Sequence, residues 1–257
     1  MQVNQTKRTK LVRERANVTR NRMVGCVAAT VILAATAASM PAAEAKVGAD
    51  IASAYVFRGA TFNDGPVFQP YMEVGGLPVS FGVWGNLDID DYDGALREHE
   101  FSEVDLYASY ALPLGIEPVE TTLGYVEYLY PGADAAADRE LSLAFACSRP
   151  LNPSLGLYYG IDGGIDKSLH VELGLGHSIK LGETSSLDLG ANVAYESPDE
   201  GEEGFSYFTL SAGLNVSIFS AGVTYVGQID DDVLVDAEDG GAYDVELYGA
   251  VGVSAAF

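Results

Sequence analysis

The chain has 257 residues, with 37 Asp and Glu against 14 Lys and Arg, a formal net charge of −23 at pH 7 and two cysteines. An acid excess of this size excludes the basic surface that nucleic-acid binding needs, so no nucleic-acid partner is expected. Two cysteines exclude a disulfide scaffold, and the fold must be held by its own secondary structure.

Residues 1–22 carry seven basic residues, and an apolar run from Met23 to Met40 follows, ending in Ala43-Glu44-Ala45. A basic start, an apolar centre and an A-x-A site make a cleavable signal peptide over residues 1–45, leaving 46–257 as the mature chain. The stretch from Val24 to Ala38 is Ala-rich, falls short of the roughly 20 residues that span a bilayer and has no charged stop beyond it. Cleavage would leave seven basic and 35 acidic residues, a net charge of −28, with Cys147 as the one remaining cysteine. No apolar run in the mature part is long enough for a transmembrane helix, which leaves a secreted β-protein or a membrane barrel.

Twelve segments of alternating polarity follow in order: 47–58, 67–77, 79–90, 101–112, 118–130, 139–149, 154–163, 168–180, 185–197, 204–218, 220–230 and 242–257. Their connections alternate between two kinds. Those at 77–78, 112–116, 149–153, 181–184 and 219–220 are short and poor in charge, whereas those at 63–65, 88–100, 131–138, 163–167, 197–204 and 230–241 hold most of the loop acids. Five inner turns and six outer loops suit twelve strands with both mature termini in the periplasm, and a soluble sandwich has no reason to sort its connections this way. The predicted fold is all-β, a twelve-stranded antiparallel transmembrane β-barrel of the bacterial outer membrane. The last segment closes on Phe257, the terminal aromatic that the barrel-assembly machinery reads.

Parity assigns the faces. In 79–90, Val79, Phe81, Val83, Leu87 and Ile89 face lipid, with Ser80, Gly82, Trp84, Asn86 and Asp88 opposite. In 118–130, Leu123, Tyr125 and Leu129 share parity with Glu127, so the facing of this fifth segment is left open. The residues expected to line the pore are Arg58, Glu73, Trp84, Glu103, Asp105, Glu172, Asp188, Asp244 and Glu246, and Asp88, Glu140, Asp162 and His170 share their parity. Inward glycines at 82, 156, 160, 174, 176, 190 and 252 leave volume. With so few basic partners, these acids favour a water-filled, cation-preferring path over a closed polar core. Arg58 reads as a structural ion pair to Glu73 or a neighbouring carboxylate. Trp84 either narrows the pore or is turned outward by a bulge at Gly85. The 15 tyrosines read mostly as an interfacial girdle, as at Tyr92, Tyr110, Tyr130, Tyr195 and Tyr243.

The loop with Asp91, Asp93, Gly94 and Glu100 partly matches a calcium loop, but Ile89 stands where the first ligand belongs, so it reads as a solvated acidic loop. Divalent ions linking loop acids to lipopolysaccharide are a diffuse version of the same idea. A lipase would need adjacent serine and histidine on the lipid face near the outer leaflet, and neither His170 nor His177 has both the parity and the level. No catalytic site, metal site or cofactor is expected.

Tyr55-Val-Phe-Arg-Gly59, then Gly65 and Phe81-Gly-Val-Trp-Gly-Asn86, resembles the start of the TorF family of porin-like outer-membrane proteins. The motif covers about 47–90, and the rest agrees in length and strand rhythm. The family's first hairpin is usually richer in Ser and Gln, and the acidic loops here are heavier. The resemblance implies a β-barrel channel. The sequence thus points to a passive outer-membrane channel for small solutes, preferring cations. The alternative is a structural barrel with a closed lumen and cation-binding acidic loops.

Overall fold

The computed structural model describes residues 44–75, 78–92, 99–131, 133 and 135–257. The expected signal peptide therefore lies outside the described residues except for its last two positions, as do Asp93 and Gly94. The described residues contain no α-helix, only strands and two short 3-10 turns at 163–165 and 237–239.

Fourteen strands form in chain order: β1 (Glu44–Ala52), β2 (Tyr55–Phe57), β3 (Ala60–Asn63), β4 (Val67–Gly75), β5 (Val79–Asp88), β6 (Phe101–Leu112) and β7 (Val119–Leu129), followed by β8 (Asp138–Cys147), β9 (Ser154–Asp162), β10 (Leu169–Lys180), β11 (Ser185–Ser197), β12 (Gly204–Val216), β13 (Phe219–Gln228) and β14 (Leu247–Ala256). Twelve of them close an antiparallel barrel in which β1 joins β14 on one side and β4 on the other. Closure leaves the wall without a free sheet edge, which in lipid would leave backbone N–H and C=O groups without partners. The seam holds from Lys46↔Ala256 to Ala52↔Ala250, and reciprocal backbone bonds between Ala45 and Phe257 extend it. β1 thus starts two residues ahead of the expected mature N-terminus.

The remaining two strands, β2 and β3, form a separate hairpin. This departs from the expected first strand, which ran unbroken to residue 58. The wall strand stops at Ala52, and the chain turns off it into the two-residue hairpin with Arg58 and Gly59 at its tip, both at positive φ (47° and 79°). That pair of dihedral signs suits the tight turn that matches strand twist. The last wall strand likewise starts at Leu247, later than the sequence suggests, because 229–246 folds as a loop.

Outside the barrel, one parity of each wall strand presents apolar side chains: Val47 and Ile51, Met72, Phe81, Leu106, Leu123, Leu141, Tyr159, Leu173 and Leu175, Leu189, Leu210 and Leu214, Val223, Val251 and Val253 are all exposed. This is the transmembrane form of the fold, apolar outward and polar inward. The open fifth segment is resolved by its pairing. Val126 and Tyr128 stand opposite Glu140 and Asp138, and Leu123, Tyr125 and Leu129 face out with Glu127. Glu127 is matched there by Arg139 across the ladder at 2.9 Å, so an ion pair carries the charge on the outer face.

Candidate functional site

The inner face of the wall and the hairpin form one unit. Ala54, Tyr55, Val56 and Phe57 are buried on both sides, because the hairpin crosses the interior. Tyr55 and Phe57 pack with Ala52, Val67, Tyr128 and Ile165, whereas Ala54 and Val56 pack with Ala194, Tyr207, Val226, Leu234 and Tyr243. Ile165 and Leu234 come from the loops after β9 and β13, so the hairpin is held toward that end of the barrel and covered by them. The loop 229–246 also grips β3 directly: Thr61 N–H donates to the Ala242 carbonyl at 2.7 Å and Val245 N–H to Thr61 Oγ1 at 2.9 Å.

Arg58 is therefore not on the wall. It reaches across from the hairpin tip to Glu140 on β8, with two hydrogen bonds of 2.9 and 3.1 Å, and its guanidinium lies 4.5 Å from the Tyr158 ring centre. The structural ion pair expected for Arg58 is thus made with a carboxylate other than Glu73, which accepts from the Tyr107 hydroxyl at 3.4 Å. The paired-fork geometry of Arg58 and Glu140, both side chains buried, makes the tip a latch. Sequence reasoning missed Glu140 as that partner because the two lie 82 residues apart and meet only once the barrel closes.

Trp84 faces inward opposite Asp105, and its ring meets Tyr55 at 5.5 Å between centres. The irregularity in its strand falls between Asn86 and Leu87 and leaves Trp84 on the inner face. Glu103 and Asp105 lie two residues apart on β6, inward and buried, with Tyr55 hydroxyl donating to Glu103 Oε2 at 3.0 Å. Asp88, also buried, accepts from Asn63 of the hairpin and from Asn86. Glu172, Asp188 and His170 take inward positions on β10 and β11. His170 is buried between Tyr158 and Tyr207, with Nδ1 on Glu196 at 2.5 Å and Nε2 3.9 Å from Glu172. Asp188 accepts from Asn215 at 2.6 Å.

Four expectations change. Asp162 is shifted out of inward parity by a register break beside Gly160, and it pairs with Arg139 at the end of β9. Asp244 and Glu246 precede β14 in the loop that turns Tyr243 and Val245 toward the hairpin, and both are exposed there instead of sitting on a wall strand. Inward glycines do not all leave empty volume: a Cβ at Gly82 would run into the Tyr107 ring, and one at Gly156 would lie 2.5 Å from Tyr158 Cε2. Their missing side chains make room for tyrosine rings laid along the wall. Accordingly Tyr55, Tyr107, Tyr128, Tyr158 and Tyr207 belong to the interior, not to a girdle, and Tyr243 is buried too.

No protein family and no curated protein matches the sequence. Among solved structures, the chain is similar to the NanC porin at 10% identity, covering 83% of this chain and 98% of that one with a TM-score of 0.46. It is also similar to an outer membrane channel from Pseudomonas putida F1, at 11% identity over 85% and 97% of the two chains with a TM-score of 0.43. A third likeness, to the translocator domain of the autotransporter NalP from Neisseria meningitidis, has 10% identity, 98% and 95% coverage and a TM-score of 0.41.

Proposed function

We propose that this protein is a bacterial outer-membrane barrel of the porin-like channel type, a passive and narrow path for small solutes that prefers cations. In this reading the signal peptide directs export, both mature termini stay periplasmic, and the acidic loops meet lipopolysaccharide and its divalent ions. Phe257 is read by the assembly machinery. The observation that carries the reading is the interior charge. Glu73, Glu103, Asp105, Glu140, Glu172, Asp188 and Glu196 face inward, against Arg58, Lys46 and Lys180. A low-dielectric wall focuses that potential, which gathers cations and repels anions. The hairpin sets the size limit, since any solute must pass between it and the wall. The residues that carry the resemblance to the TorF family include the hairpin's first strand and tip, Tyr55 to Gly59, and the wall residue against it, Trp84.

Reversal potential in planar bilayers across a potassium chloride gradient tests this. Potassium is expected to permeate over chloride, with a weaker preference once Glu103→Gln and Asp105→Asn are combined. A chloride preference in the native protein would sink it. A second reading, a structural barrel with a closed lumen, is favoured by the two apolar clusters that seat the hairpin. Absence of conductance both in the native protein and after replacement of residues 54–63 by a short Gly-Ser link would establish that second reading.

A further inference from the structure

The Glu103–Asp105 pair has a charge problem that the rest of the interior does not solve. Both side chains are almost fully enclosed, 3% and 1% exposed, and their carboxyl groups meet each other. Glu103 Oε2 has the Tyr55 hydroxyl, but no donor among the described residues reaches Glu103 Oε1, Asp105 Oδ1 or Asp105 Oδ2. The surrounding donors are turned elsewhere. Asn86, opposite Glu103, spends its amide N–H groups on Asp88 and Ser102. Tyr128, opposite Asp105, donates to Glu140, and so does the Arg58 fork.

Two desolvated carboxylates side by side can both stay charged only with a positive charge between them, since an uncompensated buried charge costs several kcal/mol; otherwise one holds a proton and hydrogen-bonds the other. Three oxygens on two adjoining carboxyl groups that no other residue's donor reaches, with no nitrogen or sulfur in the set, suit a hard cation that binds oxygen and completes its shell with water. We propose that Glu103 Oε1 and the two Asp105 oxygens form a binding site for a hard divalent cation of the calcium type, set behind the hairpin. Because Tyr55 is tied to the other oxygen of Glu103, a bound ion also fixes the hairpin's first strand against β6. The site does not depend on conduction. It holds equally for an open and for a closed lumen, so its failure and the failure of the channel reading are separate results.

Terbium is the probe, as a luminescent stand-in for calcium. Trp84 is the chain's one tryptophan and stands opposite Asp105, so excitation of the indole reports an ion at this pair. With the full mature barrel refolded in detergent, saturable sensitised emission is expected, displaced by calcium. It should fall by about tenfold or more in Glu103→Gln, in Asp105→Asn and in the two combined, as loss of a charged ligand lowers affinity. The exposed acids Asp230, Asp231 and Asp232 supply the control, because their carboxylates also converge. Changing all three to Asn should leave the Trp84-sensitised signal in place. Emission that persists in the amide variants, or that vanishes with the loop triple, would overturn the site. So would no emission from the folded native barrel, which would leave the pair neutralised by a proton. A measurement on the native protein alone guards against misfolded variants: calcium should raise its thermal midpoint over that in chelator, and an unmoved midpoint would count against the site.

Discussion

Arg58 concentrates several physical demands on one side chain. Its φ of 47° lies in the left-handed region, its charge is buried, and it carries both oxygens of Glu140. Asparagine tolerates that backbone, so Arg58→Asn separates the turn from the ion pair. Losing the guanidinium leaves Glu140 buried with the Tyr128 hydroxyl, which should cost about 3–5 kcal/mol of stability, the usual result of breaking a buried pair from one side. The urea midpoint of the detergent-refolded barrel would fall, and adding Glu140→Gln should recover most of the loss. An unchanged midpoint in the single variant would remove the latch. Part of this was legible beforehand: an inward-reaching arginine in need of a carboxylate could be read from the sequence, whereas its partner could not. A two-residue period gives the face of each side chain, but not which strands meet across the interior.

At the level of elements, the strand period placed the twelve wall segments and the two kinds of connection, because each wall strand separates lipid from a polar interior. It misplaced β2 for the same reason. Tyr55 and Phe57 continue the alternation of β1, so nothing in the period marks the break after Ala52. The available signal was a different one: Ala54-Tyr-Val-Phe57 is apolar at four successive positions, as in a strand buried on both faces, and a two-residue turn with Gly59 follows. The bulge that turns Asp162 out leaves no trace in the sequence. Sidedness belongs to this scale too. In a Cys147→Ser background, cysteine at Asp199 or Asp236 should react with an impermeant maleimide on intact cells, and cysteine at Leu151 or Glu183 should not. Labelling of the second pair on intact cells would invert the barrel.

For the whole molecule, closure rests on the seam between its first and last strands. Phe257 takes part in two ways: its backbone exchanges hydrogen bonds with Ala45 at 2.9 and 3.2 Å, and its side chain stays exposed. Phe257→Ala keeps the first contribution and removes the second. It should lower the heat-modifiable folded form in cell membranes while refolding normally in detergent, whereas deletion of the residue should impair both. Equal folded yield in cells for all three proteins would take the terminal aromatic out of assembly. The hairpin gives that seam a further meaning. It hangs from the paired ends of β1 and β4 at Ala52 and Val67, beside the edge that must zip last if the sheet curls round to meet itself. While that edge is unjoined, β2 and β3 can swing in sideways from the growing sheet. Afterwards twelve bonded strands surround them, and Ile165 and Leu234 lie across the mouth. An open seam therefore offers the hairpin a lateral way in, whereas a closed one leaves it only the path along the barrel axis, past Ile165 and Leu234.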